Sequence, residues 1–213
     1  MKNYTEKPAV YLTFDDGPNE AIDKILDILK EKNVKSTFFL IEPLIKQYPA
    51  AVKRLVEEGH YPALHSVTHD KAALYEGSPL NVAKEMEQTR KTLLETTGID
   101  SRLTRAPFGS HPYMTEEFRN ALVNQDMKMW DWNIDTVDWK YHDSNSQLII
   151  ENAISGLKEY DGENPIVILM HCTNGTVTVL PEIIDYIQTE GYQCSAYNPA
   201  QHFTVNFWND FRL

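Results

Sequence analysis

The stretch LTFDDGP, Leu12–Pro18, sets two aspartates side by side between an apolar run and a Gly-Pro break. Adjacent carboxylates repel when both are ionised, so partial burial of Asp15 and Asp16 demands compensation from a metal ion, a nearby arginine or solvent. Four further groups of residues offer partners for such chemistry. HSVTH (65–69) separates His65 and His69 by three residues, a gap that one helical turn or a compact loop closes onto a single ion. Two histidines and one carboxylate form a common shell for a catalytic zinc, with positions left open for water and substrate. RAPFG (105–109) supplies Arg105, a guanidinium able to grip a carboxylate with two prongs. IDTVDW (134–139) carries Asp135, Asp138 and Trp139, an aromatic that either packs in a core or walls a sugar-binding cleft. ILMH (168–171) ends a buried run in His171, with Leu169 on the same face. A lone histidine there is ordinarily structural; beside a metal site it becomes a candidate general acid.

These groups can cooperate only if the chain brings them to one place. Short apolar runs alternate with helical periodicity about seven times. Strands are predicted at 9–14, 36–41, 61–65, 101–107, 127–135, 165–171 and 192–197. Helices are predicted at 19–33, 43–58, 80–97, 115–124, 146–160 and 181–190. That alternation is the pattern of a parallel sheet with helices packed outside it. Seven units favour an α/β fold of the distorted (β/α)7-type barrel, in a single domain over residues 1–213. No G-x-G-x-x-G fingerprint follows the first strand, which weakens a nucleotide-binding sheet as the alternative. Barrels of this kind place their active sites at the carboxyl ends of the strands. Asp15, Asp16, His65, His69, Arg105, Asp135, Asp138 and His171 all fall at or just beyond such ends. Trp130 and Trp132 read as packing against the outer helices. His60, at a helix end, reads as a capping group rather than a ligand.

Composition narrows the partners. A net charge of −11 over 213 residues argues against nucleic acid and against simple adhesion to anionic lipid. No apolar run is long enough to span a bilayer. Cys172 and Cys194 are too few for a disulfide framework and read as small buried residues. The polar start MKNYTEKPAV lacks the hydrophobic stretch of a secretory leader.

With these motifs in order, the chain resembles the polysaccharide deacetylases of carbohydrate esterase family 4, the NodB-homology domain. TFDDGP, HSVTH, RAPFG, DTVDW and LMH all lie between about Ala9 and Tyr197. The resemblance implies metal ligands Asp16, His65 and His69, and a divalent metal, with zinc or cobalt suiting the shell. It implies Asp15 as catalytic base held by Arg105, and His171 as catalytic acid oriented by Asp138. Trp139 and Leu169 would line the acetyl pocket, and the Phe108 backbone N–H would hold the oxyanion. The implied reaction is attack of metal-activated water on an acetamide of an N-acetylglucosamine-containing polysaccharide or oligosaccharide, peptidoglycan or chitin-like. The rivals are an acetylxylan esterase and a non-catalytic carbohydrate-binding barrel. Two departures stand out: YPAL precedes the histidine motif where many members have Ile-Gly-Asn, and Phe108 replaces a frequent tyrosine. Family members acting on polymers are mostly exported. Either a leader or anchor has been removed from this chain, the reading favoured here, or the enzyme works inside the cell on a soluble substrate.

Overall fold

The computed structural model describes residues 7–141 and 144–213, so most of the polar N-terminal stretch lies outside the described residues. Strands β1 (Ala9–Gly17), β2 (Thr37–Leu40), β3 (Tyr61–Leu64), β4 (Leu103–Thr104), β5 (Lys128–Met129), β6 (Ile134–Asp135) and β7 (Ile166–His171) form one parallel sheet in the order β5-β4-β3-β2-β1-β7-β6. A short β8 (Gln193–Cys194) adds beside the start of β1. The sheet curls into the distorted seven-stranded barrel expected from the alternation, with no ladder among the described residues between its edge strands β5 and β6.

Each strand serves two compartments. Val10, Leu12 and Phe14 of β1 enter the large apolar layer between sheet and helices, with Phe38 and Leu40 of β2 and Ile166, Ile168 and Met170 of β7. Ile22, Ile25, Leu26 and Leu29 of α1 (Ile22–Glu31) cover them, at the spacing read from the sequence. The alternate residues turn inward. Phe39, Ala63, Leu103, Trp130, Val167 and Tyr197 fill the barrel, and the polar side chains sit above them. This corrects the expectation for the two tryptophans. Trp130 is fully buried inside the barrel, stacked on Phe203 at 4.6 Å, and Trp132 packs beside it rather than on the outer helices.

Three other boundaries differ for identifiable reasons. The helix expected over 43–58 is two, α2 (Glu42–Gln47) and α3 (Pro49–Glu57). Tyr48 precedes a proline, which disfavours helical geometry there, and it sits at φ −122° and ψ 50°. The last helix, α9 (Asn174–Thr189), begins a full two turns before Pro181. Thr173 caps it by accepting from the Thr176 N–H at 3.1 Å, and Val179, Leu180, Ile183, Ile184 and Ile187 bury one face, which outweighs the proline. The strand expected over 127–135 is β5 and β6, joined across the open seam by residues 130–133. The C-terminal segment fills that seam: Trp130 bridges to Val205, and the Asp131 N–H donates to Val205 O at 2.6 Å.

His60 caps α3 through its backbone, not its ring. Gly59, at φ 83°, and His60 donate their N–H groups to Val56 O and Leu55 O at 2.9 and 3.1 Å. The ring is buried and its Nδ1 accepts from the Ser36 N–H at 3.1 Å; burial and the nearby Lys35 push its pKa down to about 4. Both cysteines are free; Cys172 is buried and Cys194 partly so.

The remaining helices are α4 (Lys71–Tyr75), α5 (Asn81–Thr97), α6 (Glu116–Val123), α7 (Asp138–Tyr141) and α8 (Ser146–Glu159). Helix α8 seats β6 through a close approach at Gly156, where an added Cβ would lie 2.6 Å from Ile134 Cγ2 and 2.9 Å from Cγ1. Helix propensity alone favours Gly156→Ala by about 1 kcal/mol. Overpacking a buried β-branched neighbour costs about 1–3 kcal/mol. Gly156→Ala should therefore lower the urea midpoint, with a net loss of about 1 kcal/mol; a higher midpoint would show that Ile134 yields freely.

Candidate active site

A regular strand points neighbouring side chains to opposite faces. The paired aspartates escape that rule because β1 carries a bulge. Phe14 pairs with Phe38 and Gly17 with Leu40, so three steps on β1 oppose two on β2, and Asp16 takes φ 63°. Asp15 stays inward and buried, while Asp16 turns out toward the cleft floor.

Arg105, at 0% exposure, meets Asp15 from the end of β4. Its Nη1 donates to Asp15 Oδ1 at 2.8 Å and to Thr13 Oγ1 at 2.7 Å. Its Nε and Nη2 donate to Trp130 O and Asp131 O at 3.2 and 2.8 Å. The guanidinium lies 4.0 Å over the Phe39 ring. The compensation for Asp15 is thus an arginine held on all sides.

His65 ends the run of β3. Its Nδ1 stands 2.9 Å from Arg105 O; a carbonyl only accepts, so Nδ1 carries the proton and Nε2 presents its lone pair to the cleft. His69 follows on a loop in which Ser66 and His69 take φ 70° and 47°. Glu85 of α5 holds that loop, accepting from Val67 N–H and Thr68 N–H, both at 2.9 Å, and from Thr68 Oγ1. The ligand atoms of Asp16, His65 and His69 all lie within 4.8 Å of one another. His65 Nε2 and His69 Nε2 approach Asp16 Oδ1 at 3.3 and 3.2 Å, yet neither makes a hydrogen bond of proper geometry, and this buried oxygen has no donor among the described residues. Burial opposes ionisation of Asp16, but the surrounding histidines outweigh it and hold the carboxyl well below the usual carboxylate range. A carboxylate oxygen left without a donor beside the Nε2 atoms of two histidines fits a divalent cation.

His171 stands at the end of β7, opposite Asp15 in the ladder. Asp138, fully buried at the start of α7, accepts from the His171 N–H at 2.6 Å, and its Oδ1 lies 2.8 Å from Nδ1. Thr176 Oγ1 donates to the same carboxylate at 2.6 Å. Burial pushes the His171 imidazole down, but the bond to Asp138 and the charges of Asp138, Asp15 and Asp16 raise it to about 9.

The cleft between these groups has a volume of about 210 Å³ and is lined by Asp15, Asp16, His65, His69, Ala106, Phe108, Gly109, Trp132, Trp139, Leu169 and His171. Arg105 and Asp138 stand behind Asp15 and His171 rather than on the wall. Phe108 (51% exposed) and Trp139 (54%) flank the mouth, and Leu169 is buried at its base. Every site residue read from the sequence is therefore brought to this end of the barrel; Asp135 does not line the cleft, and its carboxylate accepts from the Val137 N–H at 2.7 Å. Thr13, Glu85, Asp131, Trp132 and Thr176 were missed. Asp131 alone carried a signal, an acid set between tryptophans in an apolar run.

The elevated His171 pKa depends on Asp138. In metal-free protein, Asp138→Asn should lower it from about 9 towards the ordinary histidine range, because burial remains and only the weaker pull of Asp15 and Asp16 is left once the hydrogen-bonded anion is lost. Following the imidazole protons by NMR against pH checks this; an unchanged titration would show that Asp138 does not govern the imidazole.

Comparisons with known proteins bear on the family and the fold. The model of the polysaccharide deacetylase family matches residues 2–130. A peptidoglycan-N-acetylglucosamine deacetylase of Bacillus cereus is 38% identical over 99% of this chain and 77% of its own length. The chain spans 64% and 37% of the length of two other relatives, from Bacillus subtilis and Listeria monocytogenes. The crystal structure of a polysaccharide deacetylase from Bacillus cereus superposes with a TM-score of 0.90 at 38% identity, over 97% of this chain and 100% of that one. The catalytic domain of a peptidoglycan N-acetylglucosamine deacetylase from Eubacterium rectale gives 0.84 at 26% identity, over 96% and 94%. On sequence and architecture alike, the chain belongs to the polysaccharide deacetylase family.

Proposed function

We propose that this chain is a metal-dependent deacetylase that removes N-acetyl groups from N-acetylglucosamine units of a peptidoglycan-type polysaccharide. One observation carries the reading. A three-ligand cluster stands in a single cleft between a carboxylate gripped by arginine and a histidine gripped by aspartate. The names of the relatives support the polymer, and such a polymer implies action at the cell surface.

Asp16, His65 and His69 would hold the cation, zinc or cobalt by the chemistry of the donor set. A divalent ion there supplies a lowered pKa for water and polarises an acetamide oxygen. Asp15 takes the proton from the attacking water. Arg105 fixes the Asp15 carboxylate through Oδ1, which leaves Oδ2 facing the cleft 3.8 Å from His65 Nε2. The Phe108 N–H meets no acceptor among the described residues and is free to donate to the developing oxyanion. His171, protonated at neutral pH, gives its proton to the departing nitrogen, since an amide anion is too poor a leaving group. Leu169 and Trp139 wall the side of the cleft suited to the acetyl methyl.

Acetate release from peptidoglycan and N-acetylglucosamine oligomers, with chelated and then zinc- or cobalt-reloaded protein, tests the reading. Activity should vanish on chelation and return on reloading; full turnover in thoroughly metal-depleted protein would sink it. Asp15→Asn should retain the metal yet lose about a hundredfold to ten-thousandfold in rate, whereas Asp16→Ala should lose the metal. The reverse pattern in metal content would exchange the two roles. His171→Ala should slow acetamides far more than activated acetyl esters, whose phenolate leaves unaided. Equal losses on both substrates would make His171 a structural or substrate-positioning group.

A further inference from the structure

Asp131 is a fully buried carboxylate that the chemistry above does not use. It lies where three segments of the site cross. Its Oδ1 accepts from the Ser110 N–H at 2.8 Å, and its Oδ2 accepts from Ser110 Oγ at 2.5 Å and from the Phe207 N–H at 2.8 Å. Its backbone carbonyl accepts from Arg105 Nη2. The segment ending at Ser110 runs directly through Phe108, which lines the cleft with a half-exposed ring, takes φ 67°, and has an N–H with no acceptor among the described residues. The C-terminal segment closes on the same loop from outside. Trp208 Nε1 donates to Ser110 O at 3.1 Å, and the Phe207 ring meets Trp132 edge-on at 5.1 Å. Gly109 is sealed between them: a Cβ there would stand 3.1 Å from Trp132 and 3.4 Å from Phe207.

We propose that Asp131, with the C-terminal segment it pins, is a positioning residue that fixes the 105–111 loop so that the Phe108 N–H meets the oxyanion. The inference rests on the deacetylase reading. A left-handed, non-glycine residue at the cleft mouth does not hold its amide in place by itself. The fold instead anchors the loop two residues later, at both the N–H and the hydroxyl of Ser110, to one buried charge. Charge-assisted bonds of this kind are stronger than neutral ones, and in a dry setting they are difficult to exchange for water. The same seam residue holds the guanidinium that grips Asp15, so the base and the oxyanion donor share one reference point.

The test compares Asp131→Asn and Trp208→Phe with wild type, all metal-replete. Asparagine keeps the shape but turns one N–H toward a donor; phenylalanine keeps most of the ring but removes its N–H. For Asp131→Asn, kcat should fall roughly tenfold to a hundredfold while KM and bound metal stay within about twofold. The loss should be equal on acetamides and activated acetyl esters, because both form an oxyanion; loss of the proton donor His171 would not give that equality. Trp208→Phe should show the same signature more weakly, and it keeps the proposal falsifiable if Asp131→Asn does not fold. Amide hydrogen exchange is read alongside. Exchange in 105–111 and 203–211 should quicken by about tenfold or more while α5 and β7 stay protected. An unchanged kcat in folded variant, or faster exchange spread evenly over the chain, overturns the proposal. If wild type itself releases no acetate, the deacetylase reading falls, and local against uniform exchange still decides whether Asp131 holds the loop.

Discussion

A guanidinium without solvent sits at the centre of this protein. Removing an ion from water costs several kcal/mol even after relaxation, so Arg105 is tolerable only with a counter-charge and with its N–H groups satisfied. Asp15 supplies the charge, Thr13, Trp130 and Asp131 supply the remaining acceptors, and Phe39 gives the flat face a π surface. The pair cannot be loosened from one side, since losing either partner strands a buried charge at a typical cost of about 3–5 kcal/mol. Lysine would not substitute, because a point charge on a flexible stem cannot address a carboxylate, a hydroxyl and two carbonyls in one plane.

That demand accounts for the irregular part of the sheet. Two of the acceptors are main-chain carbonyls of adjacent residues, Trp130 and Asp131. In an unbroken strand, neighbouring carbonyls point to opposite sides and are consumed by the ladder. Here the ladder stops after Met129 and resumes at Ile134, and the carbonyls between are free to turn to the arginine. The seam between β5 and β6 is thus where the barrel opens to satisfy its buried cation. The C-terminal segment then repairs the exposed edge by pairing Val205 with Trp130 and accepting from the Asp131 N–H.

The same feature marks where sequence reading succeeds and where it stops. Residues at strand ends were legible because their types are costly anywhere but a site, and period-2 and period-3.6 patterns located the ends. Strand β7, expected at 165–171, emerged within one residue, while α1, expected at 19–33, is shorter by two to three residues at each end but buries the face that was read. The face of the tryptophans did not emerge. Alternation carried from Met127 to Asp135 assumes one continuous strand, but Met129 and Ile134 both face the helices while Trp130 and Trp132 both face inward, so the phase slips inside the seam. Glu85 and Thr176 were illegible for another reason, and Asp131 showed only that an acid sat between two tryptophans. Each acts on a site residue from an element distant in sequence, and an acid or threonine in a helix or strand carries no mark of what it will meet across the fold.

The backbone explains why the chemistry clusters so tightly. Asp16, Ser66, His69, Phe108 and Val137 all take positive φ, and each belongs to or adjoins the cleft. For L-residues that region costs about 1–2 kcal/mol apiece, and for a β-branched valine it is a genuine outlier. Relaxing any one of them would restore local stability and misdirect a functional group. Asp16 would return to strand alternation and face away from Asp15. His69 would swing from Asp16, and Phe108 would turn its N–H from the cleft. Val137 would no longer carry the chain from β6 into the turn that delivers Asp138 to His171. The surrounding bonds hold each one in place: Glu85 on the His69 loop, Asp131 on the Phe108 loop, and Asp135 on the Val137 N–H. Asp135, whose side chain does not line the cleft, therefore acts on it through the backbone, keeping the turn wound so that Asp138 can reach the imidazole.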